Sequence, residues 1–158
     1  MSNTLKVTAP EGLPFVDFER EFDAPVAAVF AAHADPALVA QWNGPDGYVA
    51  DITEWDFTSG GRWAMTHTDP DGNDWGFRGT FHTVRENEFA IQTFEFLGYP
   101  DVVSIESITF TDLGDGRTRL DGHAVYPTVE ARDGMVQSGM EKGMSEGYVR
   151  LEKIAAGA

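Results

Sequence analysis

The sequence has no cysteine, little positive charge and no long apolar run. Without cysteine there is no disulfide and no thiolate–metal centre, a usage that suits a cytoplasmic home without requiring it. No stretch approaches the roughly 18 consecutive apolar residues of a membrane-spanning helix. The opening, MSNTLKVTAP, has no apolar segment of the kind a secretion signal needs. Lysine and arginine number 11 against 26 aspartates and glutamates, for a formal charge of −15. Such a balance repels nucleic acid and anionic lipid alike. The expectation is a cytoplasmic protein with neither nucleic acid nor membrane as a partner. Because the acids are dispersed, they indicate solubility rather than a cationic ligand.

Catalytic signatures are equally sparse. The serines stand in no G-x-S-x-G elbow. Histidine spacing gives neither H-x-x-x-H nor H-E-x-x-H, so no metal is expected. Gly72, Gly76 and Gly79 do not lead from a strand into a helix, which excludes a phosphate loop. No catalytic group, cofactor or metal is therefore assigned.

The most informative stretch lies near the end of the chain. At 100° per residue, Val136, Met140, Met144, Gly147, Leu151 and Ile154 fall on one arc, opposite Glu141, Lys142, Glu146, Arg150 and Lys153. This pattern predicts an amphipathic helix with one buried stripe, about six turns long. Thr128 is the expected N-cap, Gly157 the stop, and Glu146 and Arg150 an i, i+4 pair. Gly139, Gly143 and Gly147 interrupt it, each at about 1 kcal/mol relative to alanine. The expectation is open space beside Gly143 and close packing at Gly147.

From the start, residues 1–14 read as a flexible lead-in, and Phe15 to Phe22 as a first strand. Asp23-Ala24-Pro25 opens one short helix, with Asp23 as cap, and Asp35-Pro36 a second through Trp42. From Tyr48 to Tyr126 the chain alternates apolar and polar residues between strong turn signals such as Ser59-Gly60-Gly61 and Pro70-Asp71-Gly72-Asn73. That is a meander of antiparallel strands. The fold class is α+β, with a sheet of about 6–7 strands curling around the last helix.

Several segments resemble the START-like, or SRPBCC, superfamily: F-D-A-P-V-A-A-V-F from Phe22, P-A-L-V-A-Q-W from Pro36, and W-D-F-T-S-G-G-R-W from Trp55. The run from Phe77 to Phe96, D-G-R-T-R-L from Asp115 and G-M-E-K-G-M-S-E-G-Y-V-R-L from Gly139 are similar to the branch typified by the C-terminal domain of the heat-shock protein 90 ATPase activator. The resemblance runs from about Phe15 to Ala156 and implies a single helix-grip domain over 15–156. The expectation is that the short lead-in holds no counterpart of the activator's additional N-terminal domain. What the resemblance implies is binding of a small, mostly apolar molecule between sheet and helix. Alternatives are regulation of a chaperone ATPase by direct contact, and a cyclase, dehydratase or hydrolase acting on an aromatic or polyketide-like substrate. Enzymatic activity is the less favoured expectation, and the chain is read as monomer or homodimer.

The alternation places Trp63, Met65, His67, Trp75, Phe77, Phe81 and Phe94 on one wall of the hollow, facing Met140, Gly143, Met144 and Tyr148. Of the histidines, only His67 is expected inside; His33 and His82 are expected in solvent. Glu106 shares a face with Ile108 and Phe110, where a carboxylate is either paired or functional; the plainer alternative is a strand-end position in water, and the sequence leaves open which of His67 and Glu106 points into the hollow.

Overall fold

In the computed structural model, which describes residues 3–157, eight strands form one antiparallel sheet. They are β1 (Lys6–Thr8), β2 (Phe15–Phe22), β3 (Val49–Trp55), β4 (Arg62–Thr68), β5 (Asp74–Arg85), β6 (Phe89–Phe96), β7 (Val103–Gly114) and β8 (Arg117–Val125). Their spatial order is β1-β2-β8-β7-β6-β5-β4-β3. The six strands after Tyr48 form the expected meander, because each tight turn returns the chain beside the strand it has just left. Residues 1 and 2 of the expected lead-in lie outside the described residues. Within the rest of it, β1 pairs with β2 and Leu5 is buried, so this part of the lead-in is an eighth strand rather than a frayed end. Register shifts at Ile52/Glu54, Phe81/Thr83 and Asp112/Gly114 interrupt the ladders, as β-bulges do where strands bend.

Helices α1 (Val26–Ala34) and α2 (Pro36–Trp42) cross one end of the trough. Asp35 caps α2 by accepting from the Ala37 N–H, with Pro36 in the first turn. At α1 the capping position falls on Pro25, and Asp23 instead pairs with Arg117. The C-terminal segment divides into α3 (Val129–Gln137) and α4 (Met140–Ala155). Thr128 caps α3 as expected, accepting from Ala131. The expected six-turn helix is broken because Gly139 adopts φ +88°, a left-handed conformation that ends the ladder. Val136 therefore lies on α3 and is exposed, off the stripe it was assigned to.

Phe22, Val29, Leu120 and Leu151 are fully buried where β2, β8, α1 and α4 meet. A second cluster, Trp63, Met65 and Phe81, covers the helical side of β4 and β5. The buried Arg20 side chain on β2 pairs with Glu152, tying the sheet to the last turns of α4. Along its backbone α4 runs close to α1, α2 and α3 and stands off from the strands. Side chains, rather than backbone contact, bridge helix and sheet.

Candidate ligand site between sheet and helix

Register places Phe81, Gln92, Glu106, Ala124 and Val16 in one row across β5, β6, β7, β8 and β2. Phe81, Ala124 and Val16 are buried, so the row faces the helices, and Glu106 sits at its middle rather than at a strand end in water. The Gln92 side-chain amide donates to its carboxyl at 3.1 Å. Burial pushes the Glu106 pKa up to about 7, because removing a carboxylate from water disfavours its charged form. The residue nevertheless keeps a partial accessible surface.

Tyr126 and Tyr148 approach from the end of β8 and from α4. Each is only 6% exposed. Burial is the main cause raising both phenols, and the charge of Glu106 raises them further. Tyr148 is fixed by stacking on Trp42 at 5.8 Å and by an edge contact with Phe22 at 5.6 Å. Tyr126 packs with Val16 and Ala124 against Met135 and Met140.

The expected wall residues separate into three groups. Trp63, Met65 and Phe81 face the helices but are packed as core; Trp63 crosses Gly79 to donate to the Thr93 carbonyl at 3.2 Å. Phe77 and Phe94 are half-buried and in ring contact at 5.4 Å, and Met140 and Met144 on α4 are half-buried as well. Trp75 stands at the rim, 40% exposed, its ring against Phe96 and its N–H donating to Asp69 in the β4–β5 turn.

His67 points inward but is already engaged. It bonds Asn43 at 3.0 Å, stacks near Phe77, and lies 3.1 Å from where a Cβ on Gly44 would sit. Burial lowers its pKa, which keeps it neutral. It clamps the 43–47 loop to the sheet.

That loop also corrects the reading of the glycines. A Cβ at Gly143 would meet Pro45 Cγ at 3.2 Å, and one at Gly147 would meet the Trp42 carbonyl oxygen at 2.8 Å. Gly143 therefore faces the loop and not open space, while Gly147 is packed as expected. Glu146 and Arg150 bind the same loop instead of each other. Glu146 accepts from the Asp46 N–H, and Arg150 pairs with Asp46 and donates to the Gly44 carbonyl.

The remaining histidines are structural or exposed. His33, expected in solvent, is buried beside Trp42 and Phe110 and donates to the Val29 carbonyl at 2.8 Å. Burial lowers its pKa to about 4. His82 is exposed as expected, and His123 pairs with Asp17 on the outer face of the sheet. That face also carries a depression of about 330 Å³, lined by Lys6, Asp17, Glu19, Thr109 and His123 among others. Its polar, open lining is unsuited to an apolar molecule. Among the described residues no cluster of histidine, aspartate and glutamate fits a metal ion, and no helix is long and apolar enough to cross a membrane.

A curved antiparallel sheet holding a C-terminal helix across its concave side, with a mixed apolar and polar lining between them, defines the START-like helix-grip class. Residues 23–156 match the family described as activator of Hsp90 ATPase homolog 1-like protein, and the chain belongs to it. No curated protein matches the chain. Among solved structures, a protein from Arthrobacter aurescens is similar at 25% identity and a TM-score of 0.86, covering 97% of this chain and 92% of that one. Protein Ms6760 from Mycobacterium smegmatis is similar at 25% identity and a TM-score of 0.83, covering 97% of this chain and 99% of that one. DynU16, a protein in the dynemicin biosynthetic locus, shares the fold at 21% identity and a TM-score of 0.62, with 89% of this chain covering 46% of its length.

Proposed function

We propose that the protein binds a small, mostly apolar molecule between the sheet and α4. The observation that carries this reading is the number of half-buried apolar side chains on β5–β7 and α4, Phe77, Phe94, Ile108, Met140 and Met144, with the Glu106 carboxyl at the middle of the sheet's helical face. Apolar walls with one or two placed polar groups are the usual composition of a small-molecule site. Methionine adapts its shape to irregular guests. Native mass spectrometry of freshly purified protein, together with titration of an environment-sensitive apolar dye, tests it. A co-purified small molecule or saturable dye binding is the expected result; absence of both overturns the reading.

A second reading, regulation of a chaperone ATPase, is supported more directly by the family's description. Its structural support is an exposed apolar pair on the outer face of the sheet, Ile105 at 56% and Val125 at 39%, directly opposite each other on β7 and β8. Apolar surface of this kind suits protein contact. Several-fold stimulation of the cognate chaperone's ATPase by low micromolar protein, abolished by Ile105→Glu, would put this reading first.

A further inference from the structure

We propose that Ser107, His123 and Asp17 form a serine–histidine–aspartate row on the outer face of the sheet that hydrolyses small neutral or cationic esters. This face is opposite the proposed ligand site, and neither reading depends on the other.

Strand pairing sets the row. Ser107 on β7 lies directly opposite His123 on β8, and His123 lies directly opposite Asp17 on β2. Facing residues of neighbouring strands point to the same side of a sheet, so the three side chains share the outer face. All three line the depression of about 330 Å³ found there. His123 Nδ1 is 2.5 Å from an Asp17 carboxylate oxygen. A carboxylate only accepts, so Nδ1 of the neutral ring carries the proton and Nε2 keeps its lone pair. The Cβ atoms of facing residues are about 5 Å apart, a gap that a serine hydroxyl and an imidazole span together. The Ser107 hydroxyl is bonded to no described residue, which leaves it free to turn toward Nε2. The three residues are far apart in the sequence, so no local motif could show them.

The chemistry follows from these roles. Ser107 Oγ attacks the ester carbonyl carbon while its proton passes to His123 Nε2. The tetrahedral adduct collapses, the C–O bond to the leaving alcohol breaks, and the departing oxygen takes the proton from Nε2. Water, deprotonated by His123, then attacks the acyl-serine; the carboxylic acid leaves and Ser107 regains its proton. The sum is ester plus water to acid plus alcohol. Asp17 touches only the imidazole and is a positioning residue that fixes its tautomer.

Neighbouring rows choose the substrate. On one side Phe15, Val125 and Ile105 stand in register across the same strands, with the Phe15 ring 5.1 Å from that of His123. They seat an apolar acyl or aryl group. On the other side stand Glu19, Asp121 and Thr109. Two carboxylates there, in a chain carrying −15, repel an anionic ester and tolerate a neutral or cationic one. Lys6, 3.9 Å from Glu19, and the Thr109 hydroxyl line the same depression and are the groups available to the oxyanion. β2, β8 and β7 are paired on both edges, so their backbone N–H groups are taken up in the ladders and form no oxyanion hole. The reaction is therefore confined to esters with a good leaving group, such as aryl esters.

The test is hydrolysis of para-nitrophenyl acetate, followed by nitrophenolate release, with mass analysis and peptide mapping of the quenched protein. The expected result is saturable turnover above the buffer rate and an acetyl group on Ser107. Ser107→Ala and His123→Gln should each lower kcat/KM by about a hundredfold, or to the buffer rate, the size of a positioned acid–base group. Asp17→Asn should lower kcat and leave KM unchanged, because it alters the tautomer and not the seat of the substrate. His82→Gln, at an exposed histidine elsewhere on the sheet, should turn over as wild type does. Absence of saturable turnover by the wild-type protein overturns the proposal. So does acetylation of Lys6 or His123 with none on Ser107. Full turnover by Ser107→Ala or His123→Gln, with circular dichroism matching wild type, overturns it too.

Discussion

At the scale of single residues, Glu106 and His33 impose opposite pH dependences on stability. The Glu106 pKa is about 7 in the folded protein against 4.5 for the free side chain. Its contribution to stability is full below the unfolded value and is lost as pH rises toward 7, because only the folded state holds the proton in that window. His33, at about 4 against 6.5, acts in reverse: stability is lost as pH falls from about 6.5 toward 4. His67 is shifted in the same direction as His33. The two slopes overlap and partly cancel, so the wild-type profile alone is uninformative. Glu106→Gln removes one of them. Relative to wild type, this variant should gain about 3 kcal/mol between mildly acidic and mildly alkaline pH, following the value of about 1.4 kcal/mol per pH unit over roughly two units. Urea unfolding of both proteins at the two pH values measures the difference; a constant difference would mean that Glu106 titrates normally.

The place of Glu106 was only partly legible in the sequence. Its alternation with Ile108 and Phe110 puts it on the buried face, and that signal was present. Only the pairing of β7 with both β6 and β8 shows that it lies at the centre of the sheet, opposite Gln92 and Ala124. His33 was misread for a related reason. Near the end of a short helix it resembles a solvated terminus, but the tight turn at Asp35 folds α2 back so that Trp42 covers it.

At the scale of elements, strands were far more legible than helices. Turn residues such as those after Asp69 and around Asp115 mark the hairpins locally, and register follows from turn length. The break before α4 left no mark in the periodicity, since the stripe of Met140, Met144 and Leu151 continues in phase with Val136 across it. Gly139 was the visible clue, and its function is conformational. Gly139→Ala should therefore destabilise the protein by about 1–2 kcal/mol through its left-handed backbone alone, because a Cβ there meets nothing within 4 Å. A continuous helix would instead gain about 1 kcal/mol from the same change. The sign of the melting shift separates the two.

The next two glycines test the seat of the 43–47 loop on α4. Gly147→Ala drives a methyl against the Trp42 carbonyl at 2.8 Å, a rigid backbone atom, and should lower the melting temperature by the equivalent of about 1–3 kcal/mol. Gly143→Ala meets the Pro45 ring at 3.2 Å, which yields by a small change of pucker. Its propensity gain of about 1 kcal/mol should offset the contact and leave the melt near wild type. Equal losses at both positions would mean that the loop is held as rigidly at Pro45 as at Trp42.

At the scale of the whole molecule, the net charge has a consequence for stability. A net −15 spread over a single sheet-and-helix body repels itself, and the folded state concentrates that repulsion relative to the unfolded chain. Against it stand ion pairs such as Lys6–Glu19 and Arg62–Glu54, which are largely exposed and contribute little. Salt screens both, but the long-range excess of one sign is the larger quantity. Raising sodium chloride from roughly 0.01 M to 0.15 M shortens the screening length from about 30 Å, the width of a small domain, to about 8 Å. The melting temperature should therefore rise with salt over this range. Thermal melts at constant pH in increasing sodium chloride check it. A falling melting temperature would mean that specific pairs, above all the buried Arg20–Glu152 link between sheet and helix, outweigh the net charge in holding the fold together.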